Sequence, residues 1–225
     1  MICLGIDTTG PWCSVALVDE ARILELRRQN IGPGNNKPGN NKKGHAEALA
    51  DMVQDVLRTA DVQPSDLDKI SVCTGPGSFT GPRIGLAFAK GLALPHKTPL
   101  VGLSALQVWA ANVDPKRSKT VLSVADVKRG QVCAQIYKNG TPVQDHKTCT
   151  PQDLNGDLKA DIITGSGAIL LDIKLLGADQ ASTYICPAQL AWLGLEATPA
   201  THPAEPLYHR PPDAKLPGGK VLQEA

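Results

Sequence analysis

The sequence predicts an α/β protein folded as two compact halves, and three observations lead there. Short apolar runs broken by tight turns open the chain, helix-period and strand-like segments alternate over residues 45–112, and a second set of strands begins after a polar break at 114–118. At 225 residues the chain can hold one large core or two smaller ones, since domains cluster near roughly 100–150 residues.

Residues 1–6, 12–18 and 21–26 are apolar runs separated by Thr8-Thr9-Gly10-Pro11 and by Asp19-Glu20, the pattern of an antiparallel meander. Pro33-Gly34-Asn35-Asn36-Lys37 is followed at once by Pro38-Gly39-Asn40-Asn41-Lys42, a tandem repeat of turn formers and polar residues. It reads as a surface insertion in a mobile loop, with a basic finger that touches nucleic acid as the alternative. Leu49, Met52, Val53, Val56 and Leu57 recur at three- and four-residue spacing and predict an amphipathic helix over 45–60.

A buried strand over 70–74 leads into a glycine-rich stretch and then a helix to about residue 94, along which Gly85, Ala87, Ala89, Gly91 and Ala93 are small. Residues 99–103 read as a strand and 104–112 as a helix capped by Ser104. The break at 114–118 divides the chain into 1–113 and 114–225. Beyond it strands are expected over 120–125 and 131–137, with a turn at Asn139-Gly140 and a helix starting at Thr150-Pro151-Gln152-Asp153.

Composition narrows the function. Hydrophobic residues make up 42% and aromatics only 4%, so small aliphatic side chains do most of the packing in an ordinary globular chain. Twenty-three basic against 22 acidic residues leave a charge of +1, which excludes the overall positive field of a stand-alone nucleic-acid binder. The opening Met1-Ile2-Cys3-Leu4-Gly5-Ile6-Asp7 has no basic leader, so no signal peptide is expected, and no run of about 20 apolar residues suggests a membrane span. Cys3, Cys13, Cys73, Cys133, Cys149 and Cys186 form no Cys-x-x-Cys pair and read as reduced thiols of a cytoplasmic protein.

Three segments carry candidate chemistry. Asp7-Thr8-Thr9-Gly10 ends a strand with a carboxylate, two hydroxyls and free amides, a group that can hold a phosphate or a solvated magnesium, although the same residues are ordinary in a β-turn. Between strand and helix, Gly75, Gly77, Gly81 and Gly85 fall within eleven residues that also include Ser78 and Thr80. Such a backbone can pack closely on an anion or a partner, or serve a strand-to-helix turn that needs unusual dihedrals. Asp126, in Ala125-Asp126-Val127-Lys128-Arg129-Gly130, reads as a second phosphate-loop carboxylate or as a turn residue entering the next strand.

Asp7-Thr8-Thr9, Cys13-Ser14-Val15-Ala16-Leu17 and the stretch from Gly75 through Gly77-Ser78-Phe79-Thr80-Gly81 to Arg83-Ile84-Gly85 resemble the TsaB family, also called YeaZ. The resemblance runs on through His45, Gly91-Leu92-Ala93, Val101-Gly102-Leu103-Ser104 and Glu205-Pro206-x-Tyr208-x-Arg210. It implies the ASKHA (actin-like ATPase, ribonuclease H-like) fold, in which two lobes each carry a mixed sheet with packed helices. It also implies a non-catalytic scaffold that pairs with its catalytic paralogue TsaD, in an assembly completed by the ATPase TsaE. That assembly transfers threonylcarbamoyl to the adenosine beside the anticodon of tRNAs reading ANN codons.

By the same resemblance the subunit needs no cofactor or metal of its own, with room for weak ATP or ADP binding at Asp7, Thr8, Thr9, Gly75, Gly77, Ser78, Thr80 and Asp126. Contact with tRNA would come through the complex. The TsaD contact falls on the first two helices, at Leu49, Met52, Val53, Val56, Arg83, Gly85, Leu86, Ala89 and Lys90, with burial in the chain's own core as the alternative for the apolar stripe, some of which must face inward. The same surface would make a homodimer when the chain is alone. Departures from the family pattern are Pro82, the Pro-Gly-Asn-Asn-Lys insertion and an abbreviated second half.

The catalytic paralogue holds its metal on two histidines four residues apart. His45, His96, His146, His202 and His209 are never so spaced, and the corresponding helix carries Ala105, Gln107 and Trp109. The competing readings are an active nucleotide hydrolase of the same fold, with Asp126 as its second-lobe carboxylate, and a metallopeptidase, which the missing histidine pair disfavours.

Overall fold

Strand β1 (Cys3–Asp7) is buried at every position, as a central strand with both faces covered must be. In the computed structural model, which describes residues 1–31, 44–154, 159–171, 179–180 and 184–207, β1 pairs antiparallel with β2 (Trp12–Val18) and parallel with β4 (Lys69–Cys73). The first sheet has the order β3-β2-β1-β4-β5, with β3 spanning Ile23–Asn30 and β5 Leu100–Leu103. The tandem repeat at 33–42, and Tyr208, His209 and Arg210, lie outside the described residues.

The third strand differs from its expected span of 21–26. Ala21 and Arg22 form a turn whose amides both donate to Asp19 Oδ1 at 2.8 Å, and the strand then runs on through Arg27, Arg28 and Gln29. Polar residues are admitted because β3 lies at the end of the sheet.

Helix α1 (His45–Thr59) begins where the Gly44 amide donates to the Glu47 carboxylate at 3.2 Å. Its stripe Leu49, Met52, Val53, Val56 and Leu57 packs on Leu4, Ile6, Val15 and Leu17, together with Leu86 and Ala89 of α2 (Gly81–Ala93). Each such side chain stabilises the fold by about 1.5–3 kcal/mol relative to exposure.

The opposite face of the sheet receives α4 (Pro187–Glu196), which comes from the far end of the described chain. Gly5 lies under Pro187 and Ala191, Gly194 sits against Ser71 and Cys3, and Ser71 Oγ donates to the Leu190 carbonyl at 2.9 Å. Buried Lys69 donates to the carbonyls of Leu195 (2.9 Å) and Ala197 (2.7 Å), meeting the unpaired end of α4 with a positive charge. By packing, α4 belongs to the first sheet although it lies within 114–225.

Helix α3 (Ala105–Val113) follows β5 and is capped by Ser104, whose hydroxyl accepts the Gln107 amide at 3.1 Å. It packs on the second sheet, of order β11-β10-β6-β7-β8. Those strands are β6 (Thr120–Asp126), β7 (Val132–Lys138), β8 (Thr141–Pro142), β10 (Ile162–Thr164) and β11 (Asp179–Gln180), with β9 (Lys147–Cys149) also paired to β7. Asn139 and Gly140 turn β7 into β8 with φ of 54° and 78°. The helix expected from Thr150 is, among the described residues, a 3-10 turn at Pro151–Leu154 whose Asp153 accepts the Thr150 amide and hydroxyl. Trp109, Val121, Ala125, Leu190 and Leu193 share one core, so α3 and α4 fill the space between the two sheets.

Candidate functional site

Because β1 and β4 are parallel neighbours, the loops at their C-terminal ends emerge side by side, and the Asp7 turn meets the Gly75–Gly85 stretch there. Asp7 is 3% exposed, and its Oδ1 accepts the Thr9 amide (3.0 Å) and the Thr9 hydroxyl (2.7 Å). Cys73, at the end of β4, points its thiol at Thr9 Oγ1 at 3.9 Å. Burial pushes the Asp7 carboxyl above its ordinary range against the opposing bonds from Thr9, and burial likewise raises the Cys73 thiol. His45 places Nε2 3.2 Å from the Gly10 carbonyl and so ties α1 to the same turn.

The glycine stretch wraps this turn closely. Thr8 Oγ1 donates to the Gly81 carbonyl at 2.7 Å, the Ser78 amide to the Thr9 carbonyl at 2.8 Å, and the Gly81 amide to Ser78 Oγ at 3.1 Å. A Cβ on Gly77 would stand 2.5 Å from the Thr9 carbonyl oxygen, one on Gly81 would be 2.5 Å from Ser78 Oγ, and one on Gly85 would be 2.6 Å from Thr8 Oγ1. Gly75 has φ +98°, and its carbonyl accepts the Ala105 amide at 2.7 Å. The space freed by Gly77, Gly81 and Gly85 is therefore filled by Thr8, Thr9 and Ser78, and the Thr8 and Thr9 hydroxyls and the Ser78 amide are engaged within the chain. Ser78 and Thr80 keep exposed side chains.

Asp126 stands apart from that meeting point, at the end of β6 on the second sheet. Its carboxylate accepts the Lys128 amide at 2.8 Å and the Lys128 ammonium at 2.6 Å, while its amide donates to Ser166 Oγ. Partial burial works to raise its carboxyl, but the bonds from Lys128 outweigh it and hold the group below the ordinary range. Lys128, Arg129 and Gly130 follow with φ of 65°, 57° and 72°, so Asp126 organises a tight turn into β7. Among the described residues no group of three or more His, Cys, Asp or Glu is arranged to hold a metal.

The residues expected at a partner surface divide. Leu49, Met52, Val53, Val56, Leu86 and Ala89 are buried in the chain's own core and Gly85 is buried against Thr8, because the stripe that faces outward in a bare helix is the one this sheet covers. Arg83 and Lys90 remain at the surface, Arg83 with its guanidinium 3.6 Å over the Phe79 ring. The outer face of α2 instead presents Ala87, Lys90, Gly91 and, at its end, Leu94, with Leu94 78% and Phe79 76% exposed. Cys73, read from the sequence only as a reduced thiol, joins the site through Thr9.

Two mixed sheets with helices packed between them and on the outer face of the first, and with the leading loops of β1 and β4 side by side, define an ASKHA-type, actin-like and ribonuclease H-like fold. A family model described as "TsaD: tRNA N6-adenosine threonylcarbamoyltransferase" matches residues 32–153, more than half of the chain. The tRNA threonylcarbamoyladenosine biosynthesis protein TsaB of Escherichia coli K12 is 36% identical over 136 residues, 60% of this chain and 54% of that one. The TsaB of Bacillus subtilis 168 is 34% identical over 142 residues, 62% of this chain and 57% of that one. In structure the fold is similar to YeaZ from Pseudomonas aeruginosa, with a TM-score of 0.72 and 24% identity over 92% of this chain and 99% of that one. The chain belongs to the TsaB (YeaZ) family, within the wider group that the TsaD model describes. The matched region spans just over half the length of these curated relatives.

Proposed function

We propose that this chain is the accessory subunit that binds and activates TsaD in threonylcarbamoyl transfer to the adenosine beside the anticodon of tRNAs reading ANN codons. It has no activity alone. TsaE and ATP serve the assembled complex, tRNA is met through that complex, and the subunit itself requires no cofactor. We place it in the cytoplasm; no helix among the described residues is long and apolar enough to cross a membrane.

The observation that carries this reading is the outer face of α2. Ala87 and Gly91 stand four residues apart on that face, and a Cβ on Gly91 would meet nothing within 4 Å. Small residues at that spacing let a second helix approach closely, and exposed Phe79 and Leu94 supply apolar anchors at either end. The inward packing of the glycine stretch supports it too, since the loop's freedom serves the subunit's own architecture. Without TsaD, the same face pairs two copies.

Light scattering of the chain alone, of TsaD from the same organism and of their mixture tests the reading, alongside a tRNA transfer assay with TsaE, ATP and the adenylate-forming enzyme that supplies the threonylcarbamoyl group. A mixed complex should form, and only the combination should modify tRNA. Ala87→Glu and Leu94→Glu, both at exposed positions, should abolish the complex and leave the melting temperature of the chain unchanged. A mixture that stays separate, or turnover by the chain unaided, would sink the proposal.

A further inference from the structure

Strand β3 ends the first sheet, and its outer edge pairs with no strand among the described residues. The Ile31 amide bonds the Pro11 carbonyl at 2.8 Å, which sets the phase of the β2–β3 ladder. Bonded and non-bonded positions alternate in an antiparallel pair, so Gln29, Arg27 and Glu25 direct their backbone groups at β2, while Arg28 and Leu26 direct theirs outward. The outward groups of Leu26 are already taken. Glu25 Oε1 accepts the Leu26 amide at 3.0 Å, Arg27 Nη1 donates to the Leu26 carbonyl at 2.9 Å, and Glu25 and Arg27 form an ion pair with each other.

We propose that the Glu25–Arg27 pair is a lock on this edge, and that the partner it holds off is a second copy of this chain, joining β3 to β3 antiparallel about Leu26. Exposed edges invite such pairing, and charged side chains placed over them are a recurrent defence. The charges identify the partner. A two-fold axis through Leu26, perpendicular to the sheet, keeps each face on its own side and sets Glu25 opposite Arg27 of the second copy, twice. Sliding the register by two residues one way sets Glu25 against Glu25, and the other way Arg27 against Arg27, both repulsive. The same two side chains therefore either close the edge within one chain or join two chains in a single register.

The inference is independent of the TsaD assignment. Its test uses charge swaps on the full chain: Glu25→Arg in one preparation and Arg27→Glu in another. Each breaks the lock and repels its own copy, while the two attract one another. With Ala87→Glu added to both preparations to remove the α2 contact, sedimentation should show each variant alone at 23.7 kDa and the equimolar mixture moving towards twice that mass. Hydrogen exchange at Leu26 and Arg28 should slow only in the mixture, which separates this edge from any contact through α2. A mixture that sediments as the sum of its components, or unchanged exchange at those amides, overturns the pairing. Glu25→Gln tests the lock by itself: Leu26 exchange should quicken relative to the native chain, and an unchanged rate overturns it.

Discussion

Replacing Gly85 and Gly91 by alanine makes the same chemical change six positions apart in one helix, and the structure gives the two substitutions opposite signs. Both sit inside α2, where alanine is favoured over glycine by about 1 kcal/mol. At Gly91 nothing lies within 4 Å of the new methyl group, so that gain stands, and the melting temperature should rise by about 2–4 °C for a chain of this size. At Gly85 the methyl would stand 2.6 Å from Thr8 Oγ1, with Val72 Cγ2 at 3.4 Å behind it.

Thr8 is 1% exposed and its hydroxyl is bonded to the Gly81 carbonyl, so relief means either breaking that bond inside the protein or shifting the β1–β2 turn. An orphaned buried hydroxyl costs about 1–3 kcal/mol and overpacking a similar amount. After the helical gain, Gly85→Ala should lose about 1–3 kcal/mol and melt roughly 2–12 °C lower. Thermal unfolding followed by circular dichroism measures both variants, and Thr8→Ala should cost less in the Gly85→Ala background than in the native chain. Shifts of the same sign for Gly85→Ala and Gly91→Ala would refute the reading that Gly85 exists to seat Thr8.

Burial raises the Asp7 carboxyl, so the folded chain binds a proton more tightly there than the unfolded chain does, and Asp7 lowers stability progressively as pH rises above its ordinary value of 3.8 until the raised folded value is passed. Asp7→Asn keeps the shape and removes that loss. Urea midpoints should favour the variant by a margin that grows from pH 4 upward and then levels, and a constant margin would contradict the burial effect. Lys69→Met leaves the Leu195 and Ala197 carbonyls without their cation and should cost about 1–3 kcal/mol, seen as a lower urea midpoint and faster amide exchange in α4.

Much of the first sheet was legible because its signals are local. The run at 12–18 matches β2, the three-four stripe gave α1 to within a residue, and Ser104 capped α3 as expected. What failed depended on distant contacts. Apolarity could not show which way the α1 stripe faces, since an outward interface and an inward core have the same period. Strand β3 runs through Arg27 and Arg28 because an edge tolerates polar side chains, a fact about its neighbours rather than its own residues. The glycine stretch was visible, but its filling by Thr8 and Thr9, about seventy residues away in sequence, was not.

The placement of α4 has a consequence for how the protein is made. Ribosomes deliver the chain from its beginning, yet the face of β1 and β2 that carries Cys3, Ala16 and Val18 waits for Ala188 and Ala191 before it is covered. Until residue 197 has left the exit tunnel, the nascent first sheet shows one apolar face to water. A chain stopped short of that point would be handed to chaperones or proteases with its leading strands complete and still unsheltered.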